Sequence, residues 1–281
     1  MKIIERPLLE IDYGHFKKRT ALLSDVKETI KEDCVIKVDG EPVLIYKILP
    51  AEDLKHLRWA VKNIQYTTGE RVLGLKSISK TFGFSPRLTV RYDFCRLSGM
   101  GFDEPKQHQV ISDFGKKMVE IYKEYMPDQF NFHEEIVKEK VMGEWTIDGT
   151  PFTSGIVNKN NPLKYHTDSG NFKGVLSNMV VLKRDVDGGY LIIPELDIAL
   201  ECPDGALVIF NGQKLLHGVS PIEYNNDMSY RYSVVFYSLE QMWKCEPIDD
   251  ELIRIRNVKT EREIKRIDPE HIKELGKHYN K

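Results

Sequence analysis

His166 and Asp168 lie two positions apart in the segment KYHTDSGNFKG, residues 164–174, just before the apolar run VLSNMVVL. In an extended segment this spacing puts both side chains on the same face. The serine, glycine and asparagine nearby indicate a turn, but a turn does not need a histidine. His217, in KLLHGV, could add a third ligand from a later strand. Two histidines and one carboxylate leave one side of an octahedral iron open, as in non-heme Fe(II) oxygenases.

A candidate anion site follows the third possible ligand. Arg231 lies in the strand-like run YRYSVVFYS, and Ser233 is on the same face because side chains alternate along a strand. An arginine within a β core is unfavourable unless it meets an anion. A guanidinium binds a carboxylate bidentately, and a serine hydroxyl adds a donor. The pair predicts a carboxylate site, with a surface salt bridge as the alternative for Arg231.

Each of these signals is weak by itself. A His-x-Asp pair occurs often by chance, and a lone histidine such as His217 is more often a packed or surface residue than a ligand. The order of the features favours one common site. His-x-Asp is followed by a Gly-Gly turn and strand (DGGYLIIPEL), then by PDGALVIFNGQKLLHGV, and then by Arg231.

The elements that must position these residues change type along the chain. CVIKVDG and PVLIYKIL are short strand-like runs, and AEDLKHLRWAVKNIQ and HQVISDFGKKMVEIYKEYM have apolar residues at helical spacing. From about residue 142, β-rich runs are separated by glycine, proline, asparagine and aspartate at intervals of roughly ten residues. This spacing indicates a sandwich or a double-sheet jelly roll. A charged helical segment, with a solvated surface helix as its simplest interpretation, follows from about residue 249.

The composition is that of an ordinary globular protein, with 281 residues, 41% hydrophobic and 30% charged. The formal net charge of -2 gives no global basic field that indicates a nucleic-acid partner, although a local basic groove would be enough. No segment approaches the about 18 uninterrupted apolar residues of a membrane helix, and the N-terminus lacks a signal-peptide pattern. We predict a protein that does not bind membranes and lies in the cytoplasm, or in the nucleus or host cell if its source is eukaryotic or viral.

The four cysteines, Cys34, Cys95, Cys202 and Cys245, are far apart and contain no C-x-x-C pair. This spacing favours reduced, mostly buried thiols over a disulfide framework or a zinc cluster.

The order of His-x-Asp, the Gly-Gly strand, His-Gly and Arg-x-Ser resembles the Fe(II)/2-oxoglutarate dioxygenases. HTDSGN and RYSVVFYS, with TFGFSPR and FTSGIVN upstream, resemble the TET/JBP branch, which oxidises the methyl group of thymine or 5-methylcytosine in nucleic acid. The resemblance covers roughly residues 78 to 240 and is to the compact microbial or phage members. It implies an α+β protein with a double-stranded β-helix (jelly-roll) core. We predict one domain over residues 1–281, with a helix-rich N-terminal part (1–140), the jelly-roll core (141–245) and a helical tail (246–281).

The resemblance also implies roles for individual residues. It gives iron ligands at His166, Asp168 and His217, a 2-oxoglutarate site at Arg231 and Ser233, and contacts to the target base at Asn171 and Tyr237. No catalytic side chain is expected beyond the metal ligands. Where the cytosine-acting relatives carry a base-contacting histidine, this chain has Leu239, which weakens a 5-methylcytosine assignment and leaves thymine or another methylated substrate open.

Two further candidates for substrate contact come from the sequence itself. Asn158 precedes KNNP and is either a turn residue or a donor in the pocket. Arg91 lies with Arg87 and Arg96 in PRLTVRYDFCR, where the arginines either face phosphates or substrate or are solvated strand charges.

The reaction implied by the resemblance is hydroxylation of a methyl or other C–H group with Fe(II), 2-oxoglutarate and O2, which leaves succinate and carbon dioxide. The expected substrate is the 5-methyl group of thymine or 5-methylcytosine in DNA, and a base in a duplex must first be flipped out of the stack. Two alternatives stay open. One is an enzyme of the same fold that acts on a free amino acid, nucleoside or natural-product intermediate, and the other is a jelly-roll binding module without activity.

Overall fold

Antiparallel β-sheet dominates the computed structural model, which describes residues 1–70, 76–87, 93–268, 270 and 273. In chain order the strands are β1 (Lys2–Glu5), β2 (Glu28–Ile30), β3 (Cys34–Val38), β4 (Glu41–Ile48), β5 (Thr67–Glu70), β6 (Lys76–Ser85), β7 (Arg96–Leu97), β8 (Ser154–Lys159), β9 (Ser177–Arg184), β10 (Val186–Gly188), β11 (Leu191–Ile193), β12 (Ile198–Leu200), β13 (Ala206–Phe210), β14 (Gly218–Val219), β15 (Ile222–Tyr224) and β16 (Tyr230–Tyr237). The helices are α1 (Tyr13–Phe16), α2 (Lys55–Lys62), α3 (Gly99–Asp103), α4 (Pro105–Tyr125), α5 (Pro127–Lys140) and α6 (Ile248–Ile267).

The central strands of the larger sheet are buried on both faces. The strand order is β1-β3-β4-β13-β9-β16-β8-β6-β5, with β7 beside β6. Along β9, Val180 and Leu182 belong to the hydrophobic cluster that includes the helices, whereas Met179 and Val181 belong to the cluster that includes the smaller sheet. A strand that is covered on both faces has no polar face, which explains why the apolar runs in this part of the sequence are nearly continuous.

A smaller sheet covers the inner face of the larger one. Its order is β14-β11-β12-β2, and β2 joins parallel to β12. Leu191 and Ile193 of β11 share a hydrophobic cluster with Val208 and Phe210 of β13. Two mainly antiparallel sheets packed face to face form the jelly-roll core, so the predicted α+β class and double-stranded β-helix are confirmed.

Helices α2 and α4 cover the outer face of the larger sheet. Ile111 and Met118 of α4 lie in one hydrophobic cluster with Val234 and Phe236 of β16. The helical spacing of these apolar residues predicts this packing. Pro127 starts α5 directly after α4, because the first turn of a helix does not need the N–H that proline lacks.

The N-terminal part of the chain supplies strands to both edges of the larger sheet. β3 and β4 extend it beyond β13, and β5 and β6 extend it beyond β8. The sheet therefore reaches further back along the chain than the interval 141–245 that the sequence indicates for the β core. The strand-like runs of β3 and β4 are visible in the sequence, but the sheet that a strand joins is decided by hydrogen bonds to remote strands.

One pair of cysteines departs from the expectation of reduced thiols. Cys95 and Cys245 form a disulfide, whereas Cys34 and Cys202 are buried free thiols. The spacing argument does not reveal the pair because the two cysteines are 150 positions apart and meet only where β7 approaches the segment after β16.

The predicted charged tail forms α6, which is attached to the core near this disulfide. Buried Glu251 accepts hydrogen bonds from the backbone N–H of Cys95 and from Arg87. No helix in the described residues is long and apolar enough to cross a membrane.

Candidate active site

The two histidines of the motif are neighbours across a short antiparallel bridge. The His166 N–H donates to the His217 carbonyl oxygen at 2.9 Å, and the His217 N–H donates to the His166 carbonyl oxygen at 3.0 Å. A further bond, from the Val219 N–H to the Leu163 carbonyl oxygen at 2.7 Å, continues this pairing alongside β14. The imidazole rings are consequently fixed with their centroids 4.4 Å apart.

Asp168 completes the cluster. Its Oδ1 lies 3.8 Å from the Nε2 atom of each histidine, and the three ligand atoms lie within 4.8 Å of one another. The Asp168 N–H donates to the Gly212 carbonyl oxygen at 2.8 Å. Gly212 has to be a glycine for this approach, since a Cβ there would lie 2.2 Å from the Asp168 Oδ2.

Backbone carbonyls select the nitrogen atoms that face the centre of the cluster. Nδ1 of His166 lies 2.8 Å from the Lys164 carbonyl oxygen, and Nδ1 of His217 lies 3.0 Å from the Leu215 carbonyl oxygen. A carbonyl oxygen only accepts, so each Nδ1 carries the proton and each Nε2 keeps its lone pair. Two imidazole lone pairs and a carboxylate converge, and this arrangement can hold a divalent metal ion.

The cluster opens into a cavity of about 200 Å³ between the two sheets. Apolar side chains such as Ile156, Met179 and Val235 form part of its wall. Of the predicted cofactor and substrate residues, Arg231, Ser233, Asn158, Asn171 and Tyr237 line this cavity, as does Leu239. The fold thus brings together residues of the motif that lie far apart in the sequence.

Arg231 is buried with unused hydrogen-bond donors. Its exposed fraction is 2%, and neither Nε nor Nη2 has a hydrogen-bond partner among the described residues. Burial lowers the pKa of the Arg231 guanidinium, and the neighbouring Cys202 thiol acts in the opposite direction. Arginine nevertheless stays protonated in proteins. A buried cation with unpaired N–H groups is costly, so the site is suited to an anionic ligand.

The surroundings of Arg231 are polar and close-fitting. Asn158 Nδ2 donates to Ser233 Oγ at 3.4 Å, which places Asn158 at the Arg231 end of the cavity. Gly189 has φ of +70°, and a Cβ there would lie 2.8 Å from Arg231 Nε. Lys183 lies opposite Arg231 on β9, and burial together with the charge of Arg231 lowers the pKa of its ammonium group.

The opposite end of the cavity is formed by the turn after the His-x-Asp motif and the end of β16. The side chain of Asn171 donates from Nδ2 to Ser177 Oγ at 3.1 Å. The backbone carbonyl oxygen of Asn171 accepts from Gln213 Nε2 at 2.8 Å. Asn171 also pairs with Leu239 in an isolated β-bridge. These contacts fix the Asn171 side chain and Leu239 beside Tyr237 at one wall.

The candidate arginines upstream have different outcomes. Arg91 lies outside the described residues. Arg87 does not line the cavity. Its guanidinium pairs with buried Glu251 on α6 and with half-exposed Glu246, which lies just before α6.

The sequence indicates Gly189 only as part of the Gly-Gly turn, and it does not single out Gly212 or Ser177, which also shape the site. The two glycines act through close approaches to segments that are remote in sequence, and such an approach has no periodic pattern. Ser177 acts through a hydrogen bond to Asn171, six positions earlier. The only signal was the frequency of glycine in the turns of this region.

Residues 95–240 match the family model Tet_JBP, the oxygenase domain of the 2OGFeDO superfamily. This chain belongs to that family. The matched region is therefore an oxygenase domain of the superfamily that uses Fe(II), 2-oxoglutarate and O2, as the sequence predicts.

Individual relatives agree with the Tet_JBP assignment. The chain is 30% identical over 118 residues to the bifunctional helicase and thymine dioxygenase JBP2 of Trypanosoma brucei brucei, covering 42% of this chain and 10% of that protein. It is 24% identical over 170 residues to the thymine dioxygenase JBP1 of Trypanosoma brucei brucei, covering 60% and 20%. The matched region thus spans a fifth or less of the length of these curated relatives.

Among solved structures, NgTET1 in complex with 5mC DNA is similar, with a TM-score of 0.60, 15% sequence identity and coverage of 91% of this chain and 90% of that chain. At this identity the similarity shows the fold. The shared fold extends well beyond the segment that matches the family model, which ends at residue 240.

Proposed function

We propose that this Tet_JBP oxygenase hydroxylates the 5-methyl group of a pyrimidine base in DNA, with thymine as the favoured base. The observation that carries the proposal is the single cavity that contains the His166–Asp168–His217 cluster, a buried arginine with unused donors, and a separate wall around Asn171. The thymine preference rests on the JBP1 and JBP2 relatives, which are thymine dioxygenases, while Leu239 weakens the assignment of 5-methylcytosine.

In this proposal the cluster holds Fe(II) through the two Nε2 atoms and the Asp168 carboxylate. The donor set would suit Fe(II), because two imidazole nitrogens and one carboxylate are the ligands that non-heme iron oxygenases use. Bound iron with 2-oxoglutarate and O2 supplies the oxidising chemistry that hydroxylates the substrate and releases succinate and carbon dioxide.

Arg231 and Ser233 bind the far carboxylate of 2-oxoglutarate. The unpaired Nε and Nη2 atoms of Arg231 can form the two parallel bonds that a carboxylate accepts, and the Ser233 hydroxyl adds a third donor. Burial lowers the pKa of the guanidinium, and a bound carboxylate counteracts this effect because it stabilises the charged form. The site therefore favours a dicarboxylate over a neutral molecule.

Asn171, Tyr237 and Leu239 receive the base. The side-chain amide of Asn171 is held by the hydrogen bond from Nδ2 to Ser177 Oγ. The side-chain oxygen, Oδ1, can accept a hydrogen bond from a base N–H. Tyr237 offers an aromatic surface for stacking on the base. Since the cavity lies between two sheets, a base can enter only after it has left the duplex stack.

A second candidate is hydroxylation of a free small molecule by the same site. The net charge of -2 favours it, because an acidic protein has no general attraction for a polyanion such as DNA.

Mass spectrometry of products distinguishes the two functions. The full chain is incubated with Fe(II), 2-oxoglutarate and O2 and with unmethylated DNA, 5-methylcytosine DNA or free nucleosides, and succinate release is followed in parallel. We expect hydroxymethylated base and succinate from DNA, and neither from a His217→Ala variant. Product from free nucleosides alone would contradict the DNA assignment, and succinate-free reactions throughout would contradict the enzyme assignment.

A further inference from the structure

The N-terminal segment of residues 9–25, called the brace below, packs on the outer face of the smaller sheet. Leu191 and Ile193 of β11 point into the inner cluster, so Ile192 between them points outward. Ile192 belongs to an outer cluster with Ala21 of the brace. The same outer cluster contains Tyr165 and Leu216, which are the residues directly before His166 and His217.

The brace reaches the chain before His217 through Glu195. The Glu195 carboxylate is buried, with an exposed fraction of 3%, and its Oε1 accepts the Leu216 N–H at 2.9 Å and the Tyr13 hydroxyl at 2.8 Å. The Glu195 carbonyl oxygen also accepts the Leu9 N–H at 2.8 Å. Because Oε2 has no hydrogen-bond partner in the part of the chain that the structure describes, the loss of the Tyr13 hydroxyl would leave one donor on a buried carboxylate.

The brace reaches the chain before His166 through Tyr165. The Tyr165 N–H donates to the Arg19 carbonyl oxygen at 3.0 Å, and the Tyr165 carbonyl oxygen accepts the Lys18 N–H at 3.2 Å. The Tyr165 hydroxyl donates to Asp25 Oδ2 at 2.9 Å, and Asp25 is paired with Arg19. Backbone and side chain of the residue before the ligand are therefore both held.

The contact between brace and sheet is close. A Cβ on Gly218, the residue after His217, would lie 2.7 Å from the Cβ of Ala21. Ala21 has no exposed surface. A shift of the brace would therefore be transmitted to the backbone on both sides of His217.

We propose that the brace positions the two iron histidines, with Tyr13–Glu195 setting His217 and Asp25–Tyr165 setting His166. The inference rests on the iron site of the proposed function and not on the identity of the substrate. Metal–ligand distances tolerate deviations of about 0.2 Å, so small movements of the residues before each histidine weaken the site. Tyr13, Glu195 and Asp25 are positioning residues that act through Leu216 and Tyr165.

The test measures metal affinity, using Mn(II) as the probe and the full chain without 2-oxoglutarate, from the electron paramagnetic resonance signal of free Mn(II). In Tyr13→Phe we expect the Mn(II) dissociation constant to rise by about tenfold, as is common for changes behind a metal ligand. In Glu195→Ala, which removes the acceptor for both donors, we expect a larger rise. Glu195→Gln keeps an acceptor oxygen and should bind Mn(II) more tightly than Glu195→Ala.

Tyr66→Phe is the matched control, because the Tyr66 hydroxyl donates to the Val61 carbonyl oxygen at 2.6 Å away from the iron site. This variant should keep the wild-type Mn(II) affinity, while its Tm reports the cost of losing one tyrosine hydrogen bond. If Tyr13→Phe and Glu195→Ala lower the Tm but bind Mn(II) like the wild type, the brace is only structural and the inference is wrong. If the wild type itself fails to bind Mn(II), the iron-site assignment fails and the brace proposal fails with it.

Discussion

At the residue scale, the geometry of the candidate metal site formed by His166, Asp168 and His217 depends on backbone atoms. The carbonyl oxygens of Lys164 and Leu215 accept the Nδ1 protons and so turn both Nε2 lone pairs towards Asp168. The backbone of Gly212 holds Asp168 at the distance that the two histidines require. The ligand set is therefore as much a product of backbone geometry as of the three side chains.

Gly212→Ala tests the close approach to Asp168. The new methyl group would meet Asp168 Oδ2, and the carboxylate is the more mobile partner, so the aspartate should move while the fold remains. We expect Mn(II) affinity to fall by about tenfold or more, measured by titration. Gly143→Ala is the control, since a Cβ there meets no atom within 4 Å, and it should bind Mn(II) like the wild type. Unchanged affinity in Gly212→Ala would contradict the proposed role of Gly212.

Arg231→Lys tests the anion site. Lysine keeps the charge but cannot form two parallel bonds to a carboxylate, so the KM for 2-oxoglutarate should rise by about 10- to 100-fold. Succinate release at varied 2-oxoglutarate concentration measures this. Arg254→Lys changes an arginine that pairs with Asp93 instead, and its KM should stay at the wild-type value. Equal KM values for both variants would remove Arg231 from the 2-oxoglutarate site.

At the element scale, α5 supports the Asn171 end of the cavity through one buried histidine. His133 is fully buried, and its Nε2 lies 2.7 Å from Ser238 Oγ, between Tyr237 and Leu239 of the cavity wall. The Ser238 hydroxyl donates to the Pro151 carbonyl oxygen at 2.7 Å. Burial lowers the pKa of His133 to about 3.

This shift predicts a pH dependence of stability. The folded-state pKa lies below the unfolded value of about 6.5, so the unfolded chain binds the extra proton and stability falls as the pH drops from about 6.5 towards 3. From pH 7 to pH 5, His133 should lower the free energy of unfolding by about 2 kcal/mol, which urea unfolding at each pH measures. His133→Gln should show a shallower pH dependence even if it is less stable at pH 7. His56→Gln, at an exposed position, should keep the wild-type slope.

At the scale of the whole molecule, a disulfide links two remote parts of the chain near the Asn171 end of the cavity. The Cys95–Cys245 disulfide joins the region before β7 to the segment that follows Leu239. Met242, Trp145 and Phe172 lie in the same hydrophobic cluster as both cysteines. The wall that carries Leu239 is therefore connected both covalently and by packing to the N-terminal half.

Thiol alkylation of the unfolded protein tests this link. Without a reductant, two thiols should react, those of Cys34 and Cys202, and with a reductant all four should react. Cys245→Ser should lower the free energy of unfolding by about 2–4 kcal/mol, because the disulfide restricts the unfolded chain. Cys34→Ser provides a comparison at a buried free thiol, for which the number of reductant-sensitive thiols should not change. Four reactive thiols in the absence of reductant would contradict the disulfide.

The prediction from the sequence extends furthest where local pattern and chemistry coincide. The helical spacing of Ile111 and Met118 predicts the packing of α4, and the short apolar runs after residue 142 predict a jelly roll. The order of His166, Asp168, His217 and Arg231 indicated a site that the fold does assemble. Arg87 pairs with Glu246 and Glu251 and not with a ligand in the cavity. The sequence could not predict this pairing, because both acids lie far along the chain from Arg87.

By itself, the sequence determined the fold class, the family and the side chains that can bind a metal and an anion. These features depend on the types of residue, on the spacing of apolar residues and on the order of the motifs, all of which can be seen in the sequence itself. Only the tertiary structure decided that Gly212 and Gly189 must lack side chains and that Cys95 pairs with Cys245. It also decided that residues 9–25 pack against the residues directly before the two histidines. Each of these depends on distances between segments remote in sequence, which are set by the packing of the two sheets and by no pattern within either segment.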